Sequence, residues 1–441
     1  MGLKVVMISQ HSCIRMMKMS RCLVNRGHDV HLLAKQRREG AKMYSSFGHY
    51  QSLEQLRDLI RLHAPTTDIF HCHNEPSWFA MLCKEVAPDV PVVMDVHDSH
   101  AGRVSQEEYV SAREQGRSLR RYTTEERTSF NLADGLIFPC EPFEKEIRAA
   151  YDLTQRGAIC PSAVPRMHYA YKLFGPWFPG VVYEGGCVRP ETAASDGQWG
   201  YRYQDYTQTA QQLTEAGLMF HLYPGNGKDQ AFLDHYQKAG AIVQPCYEFI
   251  DLIHEIGTHD WGLVGNSIPT REWEIADPNK LYEYMAAGLP VIAWNAAHCA
   301  EFVKEHGIGI VVESAKEIVE RQGEINACRK NVILKRHRFA MEEYIGRVEG
   351  LYREVLNDRE CRRIGDSYGA GERSRSMSEQ LLGRGVVEAC FPVPGEAALD
   401  RPEACVLPLV AGQGEQGGDR MRNGVHPGSD GVGGPSEVPG G

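Results

Sequence analysis

Short runs of apolar residues alternate with longer amphipathic stretches along the first third of the chain. The runs predict strands at 3–9, 29–34, 68–73, 91–97 and 135–140, with helices such as 51–62 and 76–87 between them. Strands that are apolar along nearly their whole length are buried on both faces, which is typical of a parallel sheet covered by helices on each side. The pattern therefore predicts an α/β domain with a doubly wound sheet.

A segment rich in proline, tyrosine and phenylalanine, residues 160–180, interrupts this alternation, which then begins again. The second set of predicted strands is 180–186, 219–224, 241–245, 260–265, 290–294 and 308–313. An amphipathic helix at 338–356 follows, and we expect it to close the second domain. The chain is thus predicted to hold two doubly wound α/β domains joined by a short connection.

We place the two domains at residues 1–165 and 166–357, and a tail at 358–441. The end of the tail, 412–441, is rich in glycine and proline and nearly free of large apolar residues. Such a segment buries too little apolar surface to offset the chain entropy that folding removes. The tail is therefore predicted to be disordered.

Charge and cysteine content narrow the possible functions. The formal net charge of -10 argues against a nucleic-acid partner, which a basic face would have to attract. The 13 cysteines are scattered and form no Cys-x-x-Cys pair, a pattern that predicts reduced thiols and a cytoplasmic location. The apolar runs are all far shorter than the roughly 20 residues that a membrane-spanning helix needs.

One short helix has both of its ends marked in the sequence. In "DPNKLYEYMAAGLP", Asp277 is expected to cap the first amides, Pro278 to occupy the first helical position and Gly288 to end the helix. The amino end of a helix is a ready seat for a phosphate, and Lys280 adds a full positive charge there.

The carboxylate of this helix is spaced for a sugar. Glu283 lies about 7.5 Å further along the axis than Pro278, a separation that suits a diphosphate and the ribose attached to it. Asn279 shares a face with Glu283. The alternative is an ordinary Lys280–Glu283 pair on an exposed helix surface, since such pairs are common.

The stretch "PNKLYEYMAAGLPVIA" resembles the nucleotide-sugar signature of the GT-B fold glycosyltransferases, and is closest to the large retaining family 4. Shorter segments at 25–33, 92–98, 181–186, 220–227 and 260–265 resemble family strands and turns in the same order. The resemblance implies two Rossmann-like domains that face a cleft, with the acceptor bound by the first and a nucleotide-diphosphate sugar by the second. It also implies transfer to an acceptor hydroxyl with retention at the anomeric carbon.

Site residues follow from the same resemblance. Glu283 and His97 are the implied catalytic residues, with Glu283 on the ribose and His97 beside the transferred sugar. The implied substrate-binding residues are Lys280, Asn279, Leu281, Gly185, Gly186, Arg189, Gly225, Asn226, Gly227 and Lys228. For His97 a second interpretation stays open, in which the ring only bonds a loop carbonyl.

The chain also departs from the family pattern. Many members carry a second Glu seven residues before the ribose Glu, and Ile275 stands there, with Glu272 and Glu274 out of register. The glycine-rich loop after the first strand is missing, because residues 9–20 contain no glycine.

We predict no metal and no cofactor besides the donor substrate. No Asp-x-Asp pair occurs to hold a metal on the diphosphate, so helix amides and basic side chains would do that work. His71 and His73 share one face of a strand, but no third ligand stands at a clear spacing, so one packed and one cleft-facing histidine is the favoured interpretation.

The expected acceptor is a glycan, a lipid-linked molecule or a small molecule. Basic stretches at 13–21 and 35–42 leave room for weak peripheral membrane contact, although a solvated loop and a core helix explain them as well. Two rival functions remain. A nucleotide-sugar epimerase of the same fold would use Glu272 or Glu274, and a non-catalytic nucleotide-sugar-binding protein would explain the missing second Glu.

Overall fold

The molecule consists of two parallel sheets, each covered by helices. The computed structural model describes residues 2–11, 13–36, 43–74, 76–116, 120–171, 178–191, 199–225 and 228–368. Within these residues helices separate most of the strands along the chain. The strands form one sheet of seven and one sheet of six. The predicted fold class, two doubly wound α/β domains, is confirmed.

The first sheet contains seven parallel strands in the order β3-β2-β1-β4-β5-β6-β7. Their bounds are β1 Lys4–His11, β2 Asp29–Gln36, β3 Ser46–His49, β4 Ile69–His73, β5 Val92–Asp95, β6 Gly135–Phe138 and β7 Arg156–Ile159. The α-helices between them are Ile14–Asn25, Leu53–His63, Phe79–Val86, His100–Arg103, Gln106–Glu114, Thr124–Leu132 and Glu141–Tyr151. The sequence analysis did not predict β3 and β7, because these two edge strands are largely exposed and lack an apolar run.

The second sheet contains six parallel strands in the order β10-β9-β8-β11-β12-β13. Their bounds are β8 Val181–Gly185, β9 Phe220–Pro224, β10 Ala241–Val243, β11 Trp261–Gly265, β12 Val291–Trp294 and β13 Gly309–Val312. Its α-helices are Thr207–Glu215, Gln230–Lys238, Phe249–Ile256, Arg271–Ile275, Asn279–Ala287, Ala297–His306, Ala315–Glu320 and Ile325–Lys335. Short 3₁₀ helices lie at Ala64–Thr66, Arg166–His168, Trp199–Gln204, Gln322–Glu324 and Arg336–Phe339.

The last helix, Met341–Tyr368, does not close the second domain as predicted. It returns to the first domain and packs so closely on β6 that a Cβ added to Gly135 would lie 3.1 Å from both Leu351 and Val355. An ion pair of 2.7 Å between Arg26 and Glu349 adds to this contact. We call this element the return helix. An amphipathic helix needs an apolar partner, and the sequence did not say which sheet supplies it.

The return helix also extends beyond the predicted start of the tail. Residues 358–368 are helical, so the prediction of a tail that begins at 358 is wrong for this part. Residues 369–441 lie outside the described part of the chain, and their predicted disorder stays a prediction. The domain limits at 165 and 357 likewise stay predictions. Among the described residues no helix combines the length and the apolar character of a membrane span.

The strand order reverses at one point in each sheet, and these points locate the site. The reversal lies between β1 and β4 in the first sheet and between β8 and β11 in the second. In open α/β sheets ligands bind at the carboxyl ends of the strands beside such a reversal. The two domains touch near these edges, where Cys140 donates a 3.1 Å hydrogen bond from its thiol to the Ile275 carbonyl.

Candidate functional site

The helix Asn279–Ala287, which we call the donor helix, ends as predicted at Gly288, with φ at 76°. Its beginning differs from the prediction. Pro278 is the N-cap residue, and the Asp277 carboxylate accepts a 2.9 Å hydrogen bond from the Tyr282 hydroxyl instead of capping the amides. No described side chain caps the helix. An uncapped amino end presents backbone amides and a positive dipole, which together favour an anion.

Lys280 lies at the carboxyl end of β8, beside the strand-order reversal. Its ammonium stands 5.1 Å from the Tyr183 ring centroid and 5.3 Å from that of Trp273. Gly185, with φ at +116°, leaves room for it, since a Cβ there would lie 3.6 Å from the ammonium nitrogen. The structure therefore brings together Lys280 and Gly185, two residues predicted for the diphosphate.

Glu283 is buried and already has a partner. Its Oε1 lies 2.6 Å from the ammonium of Lys18, and the two side chains are 1% and 0% exposed. Burial acts to raise the pKa of Glu283, but the Lys18 ammonium and a hydrogen bond with Glu184 outweigh it and hold this pKa below its ordinary value. Glu283 is therefore an ionised carboxylate, and the predicted alternative of an exposed Lys–Glu surface pair is wrong.

Glu184, near the end of β8, is a site residue that the sequence analysis missed. Burial first, and then the charge of Glu283, raise its pKa well above the ordinary value, which favours the protonated form. Its Oε1 is buried, and no described residue bonds it. A single acidic residue inside an otherwise apolar strand was the signal that could have identified it.

The remaining residues of the donor helix contribute unequally. Asn279 is half-buried, and its Oδ1 has no partner among the described residues. Leu281 is fully buried, and its amide donates to the Pro278 carbonyl at 3.2 Å, so this amide is already used within the helix. The predicted contribution of Leu281 to an anion site is therefore not supported by its geometry, whereas Asn279 keeps a side-chain oxygen that could bind a ligand.

The predicted glycine turns meet beside β8. The Gly225 amide donates to the Gly185 carbonyl at 3.0 Å, which ties the end of β9 to the end of β8. Gly186 is exposed, and a Cβ there would approach the Gln204 amide group at 3.0 Å. Asn226 and Gly227 lie outside the described residues.

Two further basic residues were predicted for the diphosphate. The Lys228 ammonium donates to the Cys187 carbonyl at 3.1 Å and lies 4.9 Å from the Phe232 ring centroid. Arg189 is half-buried in the segment that follows β8. Lys228 therefore helps to fix the segment between β8 and Arg189.

His97 lies just past the carboxyl end of β5, as predicted. Asn74 fixes its position, because the Asn74 side-chain oxygen accepts a 3.1 Å hydrogen bond from the His97 amide. The His97 side chain is 19% exposed, and its Nδ1 stands 3.9 Å from Asp95. Its Nε2 lies 3.6 Å from the Asp98 carboxylate. The ring is thus partly open and set among carboxylates.

Behind His97 lies a buried ion pair that the sequence analysis did not predict. Arg15 binds Asp95 through two of its nitrogens, at 2.9 Å and 2.8 Å, and His73 Nε2 lies 3.1 Å from the same carboxylate. Burial acts to raise the pKa of Asp95, but Arg15 and then His73 hold it well below its ordinary value. Burial lowers the pKa of His73 to about 3, so its ring is neutral.

The two halves of the site are joined through Ser162. The Ser162 hydroxyl accepts a 3.0 Å hydrogen bond from Arg15, and the Ser162 carbonyl accepts one of 3.0 Å from Lys18. Arg15 and Lys18 belong to the same helix, Ile14–Asn25, which we call the bridging helix. Both side chains are buried, so they are unavailable for the membrane contact that was one interpretation of residues 13–21.

The structure also locates the other sequence candidates. His71 is buried with its Nδ1 2.6 Å from the Tyr352 hydroxyl, which fits the packed histidine that was predicted. Ile275, at the position of the missing second Glu, is buried in the first domain's core, and Glu274 is half exposed and paired with Arg271 at 2.7 Å. In the described part of the chain, no carboxylate stands in the register of a second Glu.

Two family models match parts of the chain. The model for Glycosyltransferase Family 4 matches residues 14–165. The model for the Glucosyltransferase 3-like, C-terminal domain matches residues 220–342. No curated protein matches the chain by sequence.

Solved structures agree with this at the level of the fold. HepE from Anabaena, in complex with UDP and glucose, superposes with a TM-score of 0.55 at 12% identity over 79% of this chain and 99% of its own. Sucrose-phosphate synthase from Thermosynechococcus elongatus gives 0.54 at 14% identity over 81% and 100%. WaaG, a glycosyltransferase involved in lipopolysaccharide biosynthesis, gives 0.53 at 14% identity over 78% and 98%.

Proposed function

Because the chain is a GT-B fold glycosyltransferase, we propose that it moves a sugar from a nucleotide-diphosphate sugar to an acceptor hydroxyl. The second domain binds the donor and the first binds the acceptor, with the reaction in the cleft between them. Transfer proceeds with retention at the anomeric carbon and without a metal on the diphosphate. The HepE structure, which holds UDP and glucose, supports a donor of this class.

The main support for this proposal is the amino end of the donor helix. It is uncapped, it lies beside the strand-order reversal, and Lys280 places an ammonium over Gly185 at the same point. Negative charge grows on the diphosphate as the sugar leaves, and fixed donors stabilise it most when they need no reorganisation. Lys280 and the amides of Asn279 and Lys280 are the groups we assign to this role.

Glu283 holds the ribose once Lys18 has withdrawn. The two residues belong to different domains, so opening of the cleft separates them and exposes the carboxylate. The ribose hydroxyls then replace the ammonium as hydrogen-bond donors. The buried Lys18–Glu283 pair is therefore a contact that holds the two domains together across the cleft.

On the acceptor side we assign His97 to the reaction centre. It is the partly open ring at the carboxyl end of β5, and Asn74 holds its backbone. The acceptor is a glycan, a lipid-linked molecule or a small molecule, with no nucleic acid and no further cofactor involved. We place the enzyme in the cytoplasm, with weak membrane contact at most through residues 35–42, of which 37–42 lie outside the described residues.

The test is to incubate the purified chain with a panel of nucleotide-sugars without acceptor and to follow release of the nucleoside diphosphate. A transferase releases it slowly by hydrolysis, and Glu283→Ala should abolish both release and nucleotide binding. Glu274→Ala is the matched control, since Glu274 is exposed on a neighbouring helix. Nucleotide affinity that is equal in Glu283→Ala and the native chain would contradict the assignment.

One observation favours a second function, a binding protein without catalysis. Ile275 is buried where many family members place a carboxylate on the transferred sugar. In that case the nucleotide-sugar raises the melting temperature but no diphosphate appears. An altered sugar in the same assay would instead identify an epimerase.

A further inference from the structure

Three side chains with metal-binding atoms meet beside the strand-order reversal of the first sheet. They are Cys13 after β1, His73 at the end of β4 and His97 after β5, and their ligand atoms all lie within 4.8 Å of one another. We propose that this cluster binds one divalent zinc ion. The proposal does not depend on the donor site of the second domain, although one of the three side chains, His97, is also the residue that we assign to the reaction centre.

The distances suit zinc. Zn–S and Zn–N bonds of about 2.3 and 2.0 Å at a tetrahedral angle place sulfur and nitrogen about 3.5 Å apart. The Cys13 sulfur stands 3.7 Å from Nδ1 of His73, close to this value, and 3.4 Å from Nε2, so the ring must turn for Nδ1 alone to face the ion that the sulfur binds. The His97 ring centroid is 4.2 Å from that of His73, and side-chain rotation can close the remaining gap.

The surroundings orient the histidines. Asp95 lies 3.1 Å from His73 Nε2, which leaves Nδ1 as the ligand atom. A carboxylate on the far nitrogen is the usual partner of a metal-bound histidine, because it fixes the ring and makes the ligand more basic. Arg15 holds that carboxylate in place through an ion pair of 2.8 Å. The Nδ1 of His97 is buried without a partner among the described residues.

The donor set selects the class of metal. One thiolate and two imidazoles favour zinc over magnesium or calcium, which prefer oxygen ligands. Binding forms one Zn–S and two Zn–N bonds, and the Cys13 thiol proton passes to solvent. Three protein ligands leave a fourth position for water, and the partial exposure of Cys13 and His97 gives the ion access from solvent.

The experiment titrates the metal-free full-length chain with cobalt chloride and then displaces cobalt with zinc chloride. We expect one equivalent of cobalt and a thiolate-to-cobalt absorption band. Cys13→Ser removes the thiolate but keeps a side-chain oxygen to cap the bridging helix, where the Cys13 sulfur now accepts from the Met16 amide. This variant should therefore fold, lose the band and bind zinc at least about 100-fold more weakly.

The control is Cys246→Ser, since Cys246 is exposed and lies outside the cluster. It should keep the band, whereas His97→Ala should weaken zinc binding while circular dichroism stays unchanged. A native chain without the band overturns the proposal. A band that survives in Cys13→Ser and disappears in Cys246→Ser overturns it as well, because the metal would then sit on the exposed thiol.

Discussion

Replacing Lys18 by Met tests the contact between the two domains most directly. The substitution keeps an unbranched side chain and removes the charge, so Glu283 is left as a buried carboxylate without its counter-ion. The pair is 2.6 Å long and both side chains are almost fully buried. Removing one partner of such a pair costs about 3–5 kcal/mol, because the remaining charge loses its compensation.

A double-mutant cycle separates the ion pair from the loss of packing. Glu283→Gln alone should cost a similar amount, whereas Lys18→Met with Glu283→Gln should cost far less than the sum, since neither charge remains. The free energies of unfolding come from urea titrations at neutral pH. Lys316→Met is the control, because its pair with Glu320 is exposed and worth at most about 1 kcal/mol.

Lys18→Met should also change the affinity for a nucleoside diphosphate. If Lys18 holds the cleft closed in the ligand-free chain, Lys18→Met increases the fraction with a free donor site and tightens nucleoside diphosphate binding. Isothermal titration calorimetry measures this affinity. A Lys18→Met variant that is no less stable than the Lys316→Met control would refute the buried pair. An unchanged affinity would refute its role as a closing contact.

Three other outcomes follow from the geometry. Lys280→Met should weaken nucleoside diphosphate binding by about 10- to 100-fold, which corresponds to the loss of one charge-assisted hydrogen bond. Binding of the nucleoside without phosphates should stay the same. Equal losses for both ligands would contradict the assignment of Lys280 to the diphosphate. His97→Ala should lower kcat by about 100-fold or more and leave nucleotide affinity unchanged, as steady-state kinetics and calorimetry will show. Burial raises the pKa of Asp277 from 3.8 to about 7. Between these pH values the folded chain holds a proton on Asp277 that the unfolded chain has lost. The free energy of unfolding of the native chain therefore falls as pH rises through this range. Asp277→Asn does not titrate, so its free energy of unfolding should rise relative to that of the native chain by about 1.4 kcal/mol per pH unit in this range. Urea unfolding measures both free energies. If their difference stays constant with pH, Asp277 is not buried in solution.

The alternation of strands and helices could be predicted because it is a local signal. β4, β5 and β6 are buried at every position and mostly apolar, since helices cover both of their faces. β3 and β7 could not be predicted in the same way, because they have no fully buried position, whereas the edge strands β10 and β13 of the second sheet keep buried apolar residues and were predicted. The return helix was found, but its partner was not, because an apolar stripe fits any complementary surface.

Individual residues of the site could be predicted from the sequence, but the pairs that they form could not. Glycine at position 288 and the lysine at position 280 are read from the donor helix itself, and the structure places Lys280 where an anion would sit. Lys18 and Glu283 are 265 residues apart, and nothing near either residue in sequence announces the other. The same holds for Arg15 and Asp95, 80 residues apart.

The sequence by itself determined the two α/β domains, the carboxyl end of the donor helix and the resemblance to the GT-B glycosyltransferases, because hydrophobic period, helix-ending glycine and short motifs act over a few residues. Only the tertiary structure decided which charges are buried together: Glu283 with Lys18, and Asp95 with Arg15 and His73. A buried charge is stable only beside a compensating partner, and that partner is chosen by how distant segments pack. Local sequence patterns therefore determine the helices and strands, and tertiary packing determines which charged side chains interact.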